Sequence, residues 1–236
     1  MPSLSRAIFL LAFCTCATFA QAFSEADRLF TYGDDTNRDQ QAVAVIEKAL
    51  SSDGNNYQWL WRAARAHYYV GDEAPQSNKL KHFESGISYA QRAIAQQPNA
   101  VEGHFWLGAN YGGYSEVKGM FSALATVKKI RAEMETVLRL NAAYEDGRAY
   151  LALGELDRQL PGMLGGNVKR AVTRLEVGLK TAPRNFDMKY ALAEAYKEDG
   201  RKDDARRQLN ELLQAAARNR SDRNTQDKAR KLLAKL

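Results

Sequence analysis

Apolar residues along most of the chain recur at intervals of three and four positions. Two stretches show this spacing clearly: Ala42, Val45, Ile46, Ala49 and Leu50, and later Leu192, Ala195 and Tyr196. This period places apolar side chains on one face of an α-helix. No stretch alternates polar and apolar residues for long enough to predict a strand. The pattern therefore predicts an all-α protein.

A short motif returns within these helical stretches. Residues 107–111 read Leu-Gly-Ala-Asn-Tyr, residues 192–196 read Leu-Ala-Glu-Ala-Tyr, and Leu153-Gly154 begins another copy. This is the first-helix signature of a tetratricopeptide repeat, in which small residues let paired helices approach closely. It predicts a tetratricopeptide-like solenoid of helix pairs. Three of the repeats exceed the standard length of about 34 residues, which predicts inserted loops or extended helices.

We expect one repeat domain over residues 23–236. The predicted repeats and the capping helix that follows them cover residues 23–56, 57–100, 101–144, 145–185, 186–219 and 220–236. The last segment carries apolar residues on one stripe and basic residues elsewhere, as expected of a helix that closes a repeat array with a solvated outer face.

Residues 1–22 have the parts of a secretory signal peptide. Arg6 precedes an apolar run over residues 7–20, and Ala20-Gln21-Ala22 is a small-residue cleavage site. The run is too short to span a bilayer, which takes about 20 residues. We expect cleavage after Ala22 and a protein that is exported, periplasmic and soluble. Both cysteines, Cys14 and Cys16, leave with this segment, so the processed chain has no disulfide.

The net charge of +6 is unevenly distributed. Residues 197–236 hold 12 Lys and Arg against 7 Asp and Glu, whereas residues 23–196 are balanced. The basic end is either a solvated terminal helix pair or a patch for anionic lipid or an acidic partner. No nucleic-acid recognition motif accompanies the charge, so we expect no nucleic-acid partner.

No motif for catalysis, cofactor binding or metal binding is present. His67, His82 and His104 fall in different predicted helices, with no cysteine or H-x-x-x-H spacing that would hold a metal. No serine lies in a G-x-S-x-G turn. We therefore expect a protein that is not an enzyme and uses no cofactor.

An elaborated apolar segment follows residues 107–111. Tyr111 and Tyr114 flank a Gly-Gly pair, and an apolar stripe that includes Met120 and Phe121 predicts one helix over 115–140. Its first turns form either a pocket for a small hydrophobic ligand or a partner surface. Alternatively, insertions at 71–80 or 158–166 cover them.

Equivalent positions on the first helices of successive repeats predict an inner face. The residues at these positions are Trp61, Phe105, Leu151 and Tyr190, with Arg65, Ala109, Glu155 and Glu194 one turn later. An apolar ladder flanked by charges of both signs is typical of a groove that binds a peptide or a protein partner. The alternative is that these side chains pack under inserted segments.

A glycine-rich loop precedes the helix that begins after Asn167. It contains Pro161, Gly162, Gly165 and Gly166, and Asn167 is a suitable N-cap. Backbone N–H groups at a helix start can bind anions. No strand and no G-K-[ST] accompany the loop, so we interpret it as a structural connection.

Residues from about 100 to 215 resemble the T component of TRAP transporters, a family of exported tetratricopeptide proteins. The resemblance rests on residues 140–147, on Leu153-Gly154, and on Pro161 with Gly165-Gly166, Lys169 and Ala171. It implies a periplasmic scaffold that docks an extracytoplasmic solute-binding protein, forms a homo-oligomer and holds a hydrophobic ligand. The chain lacks the lipobox of lipoprotein members and has Ala142 at the usual proline. A general cell-envelope scaffold that captures a peptide or loop is the alternative function.

Overall fold

The computed structural model describes residues 23–31 and 35–236, apart from the side chains of residues 120–124. The predicted signal peptide lies outside the described residues. Every regular element in the described part of the chain is helical, so the all-α prediction is confirmed. None of the described helices is both long and apolar enough to cross a membrane.

Contacts within the chain divide it into two compact units, with the boundary after residue 120. Helix α1 (residues 23–29) is the first helix of the described residues and belongs to the first unit. The helices that follow it there are α2 (Thr36–Ser52), α3 (Tyr57–Glu73), α4 (Gln76–Gln96) and α5 (Val101–Lys118). The second unit contains α6 (Met120–Asn141), α7 (Tyr144–Gln159), α8 (Val168–Thr181), α9 (Phe186–Glu198), α10 (Lys202–Gln214) and α11 (Arg220–Leu233). From α2 to α5 and from α7 to α11, each helix packs chiefly on its chain neighbours, as in a helix-pair repeat.

Short polar side chains start five of these helices. The side chain of the N-cap residue accepts hydrogen bonds from first-turn N–H groups at Asp35, Asn56, Asn167, Asn185 and Asn219. These bonds satisfy N–H groups that have no partner within the helix. Asn167 is therefore the N-cap of α8, as predicted.

The predicted continuous helix over residues 115–140 is wrong. Helix α5 ends at Lys118, and Gly119 adopts a φ of +82° before α6 begins at Met120. An α-helix requires negative φ, and glycine is the residue that leaves this region at least cost. The apolar stripe continues on both sides of Gly119, so periodicity alone gave no sign of the break.

Each unit has its own apolar core. In the first unit, the largest completely buried side chains include Trp59, Leu60, Phe83 and Trp106. In the second unit, one cluster surrounds Leu175 and Met188 and another surrounds Leu209 and Leu212. Small residues allow close helix contacts, as the repeat motif predicted. A Cβ atom added at Gly154 would lie 2.7 Å from the side chain of Leu175.

Candidate functional site

Helices α7 and α9 of the second unit present neighbouring, partly exposed side chains on one face, which we call the α7–α9 face. Its residues are Leu151, Glu155 and Arg158 from α7, and Tyr190, Glu194 and Glu198 from α9. Arg158 lies at its centre. One Nη atom is 2.8 Å from Glu155 and 3.3 Å from Glu194, and the other is 2.6 Å from Glu198. Three carboxylates around one guanidinium leave the face with a charge of −2.

Partial burial changes the electrostatics of this face. Burial raises the pKa of Glu194, and the charge of Glu155 adds to this effect against the opposing charge of Arg158. Burial and the Glu194 carboxylate raise the pKa of Tyr190 to about 12, and the Tyr190 hydroxyl donates to Glu194 at 3.2 Å. Leu151 packs against the core cluster around Leu175 and Met188, and Tyr190 packs against the cluster around Leu209 and Leu212. The face can therefore bind a cationic side chain beside an apolar one.

The corresponding positions of the first unit are largely covered by the chain itself. Arg65 is buried, and its guanidinium lies 2.7 Å from Asp27 of α1 and 4.0 Å from the ring centroid of Phe30. Trp61 is partly exposed, with Arg65 5.0 Å from its ring centroid. Phe105 is buried against Trp106. The structure thus brings Arg65 and Trp61 together and leaves Phe105 with little surface for a partner.

The other predicted site residues lie in or near the end of α5. Tyr111 is buried, and Gln91 donates to its hydroxyl at 3.3 Å. Tyr114 is partly exposed, with the Lys118 ammonium 5.8 Å from its ring centroid. The side chains of Met120 and Phe121 lie outside the described residues. The predicted hydrophobic pocket at these positions stays a prediction.

Hydrogen bonds hold the glycine-rich loop against helices α7 and α8. It forms a short 3-10 turn over Gly162–Leu164, and Gly165 closes this turn with a φ of +90°. Arg170 donates to the Gly165 carbonyl at 2.5 Å and to the carboxylate of Asp157 at 2.6 and 2.8 Å. Asn167 N–H donates to the main-chain carbonyl of Asp157 at 2.6 Å. The loop is therefore a built structural connection, consistent with its interpretation from the sequence.

Replacement of Gly166 by alanine is expected to destabilise the second unit by roughly 1–3 kcal/mol. A Cβ atom at residue 166 would lie 1.6 Å from the Leu160 carbonyl oxygen, so the backbone of the loop must move. Gly162→Ala is the matched control, because its Cβ would meet nothing within 4 Å. Urea unfolding followed by far-UV circular dichroism measures both variants. Equal midpoints for the two variants would contradict the close approach.

Sequence reasoning missed two charged or titratable clusters. In the second unit, Asp157 is completely buried among Arg131, Arg170 and Arg174, whose nearest nitrogens lie 2.6–2.9 Å from its carboxylate. Burial alone would raise the pKa of Asp157, but hydrogen bonds from Arg170 and Arg131 outweigh burial and lower it. The three arginines lie 13 to 26 positions from Asp157 in the sequence, on two other helices, and no sequence motif links the four residues.

The other missed cluster is a histidine pair in the first unit. Nδ1 of His67 on α3 lies 3.1 Å from Nδ1 of His82 on α4, and Nε2 of His67 lies 3.2 Å from Glu47 of α2. Because the Glu47 carboxylate can only accept, Nε2 of neutral His67 donates a hydrogen bond to it, and Nδ1 then accepts the hydrogen bond from His82. Tyr89 stacks on the buried His67 ring. Among the described residues, no three His, Cys, Asp or Glu side chains converge as metal ligands.

Solved structures with similar folds are tetratricopeptide proteins. The thermophilic tetratricopeptide protein TTC0263 of Thermus thermophilus is 21% identical, over 82% of this chain and 91% of that one, with a TM-score of 0.60. A MamA structure from AMB-1 is 19% identical, over 84% and 91% of the two chains, with a TM-score of 0.54. These likenesses concern the fold alone. They confirm the predicted tetratricopeptide-like fold class.

Two family models match the chain, one over residues 22–163 and the other over residues 163–236. A tetratricopeptide repeat model covers residues 163–236, which confirms the predicted repeat type there. Tetratricopeptide scaffolds are generally non-enzymatic and bind protein partners, so the coarse prediction of a protein-interaction scaffold is supported. Comparison with curated protein sequences finds no significant match. The model described as regulator of microtubule dynamics protein 1-3 covers residues 22–163, or 142 of 236 residues, and the chain therefore belongs to this family.

Proposed function

We propose that the chain is an exported, non-enzymatic scaffold that binds a protein partner on the α7–α9 face. The observation that carries the proposal is the combination on that face of partly exposed Leu151 and Tyr190 with a carboxylate cluster around Arg158. In the first unit, by contrast, Arg65 already forms an ion pair with Asp27 of α1. A binding role for the inner helices is therefore best supported in the second unit.

The chemistry of the face specifies the kind of partner segment. With a charge of −2 beside two apolar side chains, it favours a segment that carries lysine or arginine next to an apolar residue. Arg158 holds Glu155, Glu194 and Glu198 in place before binding, which lowers the entropic cost of ordering them in a complex. The same arrangement disfavours an acidic segment.

The compartment follows from the predicted signal peptide over residues 1–22. The proposed role does not include the action on microtubule dynamics for which the family is named, because a signal peptide predicts export. Within the envelope, the resemblance to the TRAP-transporter T component implies a solute-binding subunit as the partner. It also implies a homo-oligomer and a hydrophobic ligand. The alternative partner is a peptide or loop of an envelope-assembly protein.

Affinity purification of the tagged protein from periplasmic extract tests this function. We expect Glu194→Lys combined with Glu198→Lys to reduce recovery of a stoichiometric partner by at least about tenfold. The double variant reverses both acidic charges that α9 places next to Arg158. The matched control is Asp203→Lys combined with Glu211→Lys on exposed positions of α10, which should leave recovery unchanged.

The identity of the recovered protein separates the two partner classes. A solute-binding subunit supports the transport accessory, and another envelope protein supports the general scaffold. Native mass spectrometry of the same sample reports a homo-oligomer and any retained small molecule. Absence of a periplasmic form of the protein, or equal loss of partner in the α9 and α10 variants, would overturn the proposal.

A further inference from the structure

The second unit exposes an apolar loop tip next to basic side chains. Met163 is 92% exposed at the 3-10 turn, and Leu164, which follows it, is 40% exposed. Val177, at 39%, lies two helical turns into α8. These are three of the four large apolar side chains that the described residues expose, the fourth being Leu140. Two adjacent exposed apolar side chains at one loop tip, Met163 and Leu164, mark a candidate interaction site.

The loop holds its tip in a fixed position. Leu164 N–H donates to the Pro161 carbonyl at 2.8 Å, Gly166 N–H donates to the same oxygen at 3.1 Å, and Arg170 ties the Gly165 carbonyl to Asp157. Met163 therefore protrudes from an ordered turn. An ordered, convex apolar tip loses little conformational entropy when it is buried by another surface.

The charge next to the tip is positive. Lys169 and Lys180 share one exposed stripe of α8 with Thr173 and Val177, and no ion pair of either lysine is found among the described residues. Glu176, the only acidic side chain of α8, accepts from the Tyr196 hydroxyl at 2.7 Å and lies 3.6 Å from Arg201. Residues 121–236 together hold 24 Lys and Arg against 16 Asp and Glu.

We propose that the Met163 loop and the Lys169–Lys180 stripe of α8 dock on an anionic lipid surface, which we call the lipid-docking surface. The protruding Met163 and Leu164 enter the boundary between headgroups and acyl chains, and the two lysines bind anionic headgroups. A convex apolar tip beside lysines without acidic partners matches a bilayer, whose surface is anionic and whose interior accepts apolar side chains. This inference does not depend on the partner of the α7–α9 face.

Vesicle co-sedimentation tests the lipid-docking surface. The protein used is the chain from Phe23, which contains every described helix and omits the predicted signal peptide, an apolar segment that binds lipid by itself. We expect it to bind phosphatidylcholine vesicles that contain about a quarter phosphatidylglycerol, and pure phosphatidylcholine far more weakly. Raising the salt from about 0.1 M to about 0.5 M should weaken this binding.

Three variants locate the contact. Met163→Asp, and separately Lys169→Glu with Lys180→Glu, should each weaken binding by at least about tenfold. Lys228→Glu with Lys231→Glu on α11 changes the net charge equally and should have a several-fold smaller effect. All these residues are exposed, and far-UV circular dichroism confirms that each variant keeps its helices.

Four results would overturn the inference. One is binding that does not depend on phosphatidylglycerol, and another is unchanged binding of Met163→Asp. The third is an equal loss in the α11 variant, which would show attraction by net charge without a specific surface. Failure to bind any vesicle also overturns it and leaves the loop as a contact for a protein partner.

Discussion

Lowering the pH from about 7 to about 4 is expected to destabilise the first unit by about 3 kcal/mol through His67 alone. The pKa of His67 in the folded chain is lowered to about 4 from 6.5. Burial is the main cause, the charge of Glu47 opposes it, and His82 and Lys81 add to it. Between these two pKa values the unfolded chain binds more protons than the folded chain, so stability falls as the pH falls through this window.

The geometry explains why the folded chain resists the proton. A protonated His67 carries hydrogen on both ring nitrogens, so its Nδ1 can no longer accept the hydrogen bond from His82, 3.1 Å away. The positive charge would also be confined between α2, α3 and α4, where Glu47 is the one described acidic group that compensates it. Protonation therefore separates the two rings and loosens the contact between α3 and α4.

Urea unfolding followed by tryptophan fluorescence measures this effect in the first unit, because Trp59, Trp61 and Trp106 all lie there. His67→Gln should remove most of the loss of stability between pH 6.5 and 4. His104→Gln is the control, since His104 lies at the Pro98 carbonyl, away from the pair. A His67→Gln variant with the wild-type dependence on pH would contradict the assignment.

Replacing Asp157 by alanine is expected to destabilise the second unit by roughly 3–5 kcal/mol. The substitution removes the carboxylate that Arg131, Arg170 and Arg174 share, and leaves three guanidinium groups around an apolar side chain. Of these three arginines, Arg174 then keeps a carboxylate partner among the described residues, because its Nη2 lies 2.6 Å from Glu135 Oε1. Because Arg170 also holds the Gly165 carbonyl, the Met163 loop should lose order in the same variant.

Far-UV circular dichroism follows this unfolding, since residues 121–236 contain no tryptophan. Asp203→Ala is the matched control: Asp203 also pairs with an arginine, Arg206 at 2.9 Å, but its side chain is 97% exposed. We expect the control to unfold at the wild-type urea concentration. An Asp157→Ala variant with the same midpoint as the control would show that the arginine cluster contributes little to stability.

The core of the repeats was readable from the sequence because it depends on local spacing. Leu107 and Tyr111 of the first complete motif are buried, and so are Leu192 and Tyr196 of the last one. A side chain at every third or fourth position lies on the same helix face whatever surrounds it, so periodicity alone identifies the buried stripe.

Features that depend on one residue or on distant residues were not readable. Gly119 ends a helix whose apolar stripe continues in phase beyond it. Glu145 and Asp146 adopt left-handed φ values of 48° and 56°, which are uncommon for residues other than glycine. The histidine pair joins positions 15 residues apart on two helices. The sequence identified equivalent positions on the inner face. It did not predict that Arg65 at one of them forms an ion pair with Asp27 of α1, which only the structure shows.

Site-specific photo-crosslinking in the periplasm tests the central claim, that the chain binds its protein partner on the α7–α9 face. A photoreactive phenylalanine analogue replaces Tyr190 in one variant and Trp61, at the corresponding inner position of the first unit, in another. We expect one discrete adduct from residue 190, which is lost when Glu194 and Glu198 are changed to lysine, and little adduct from residue 61. An adduct from residue 61 alone, or none from residue 190, would contradict it.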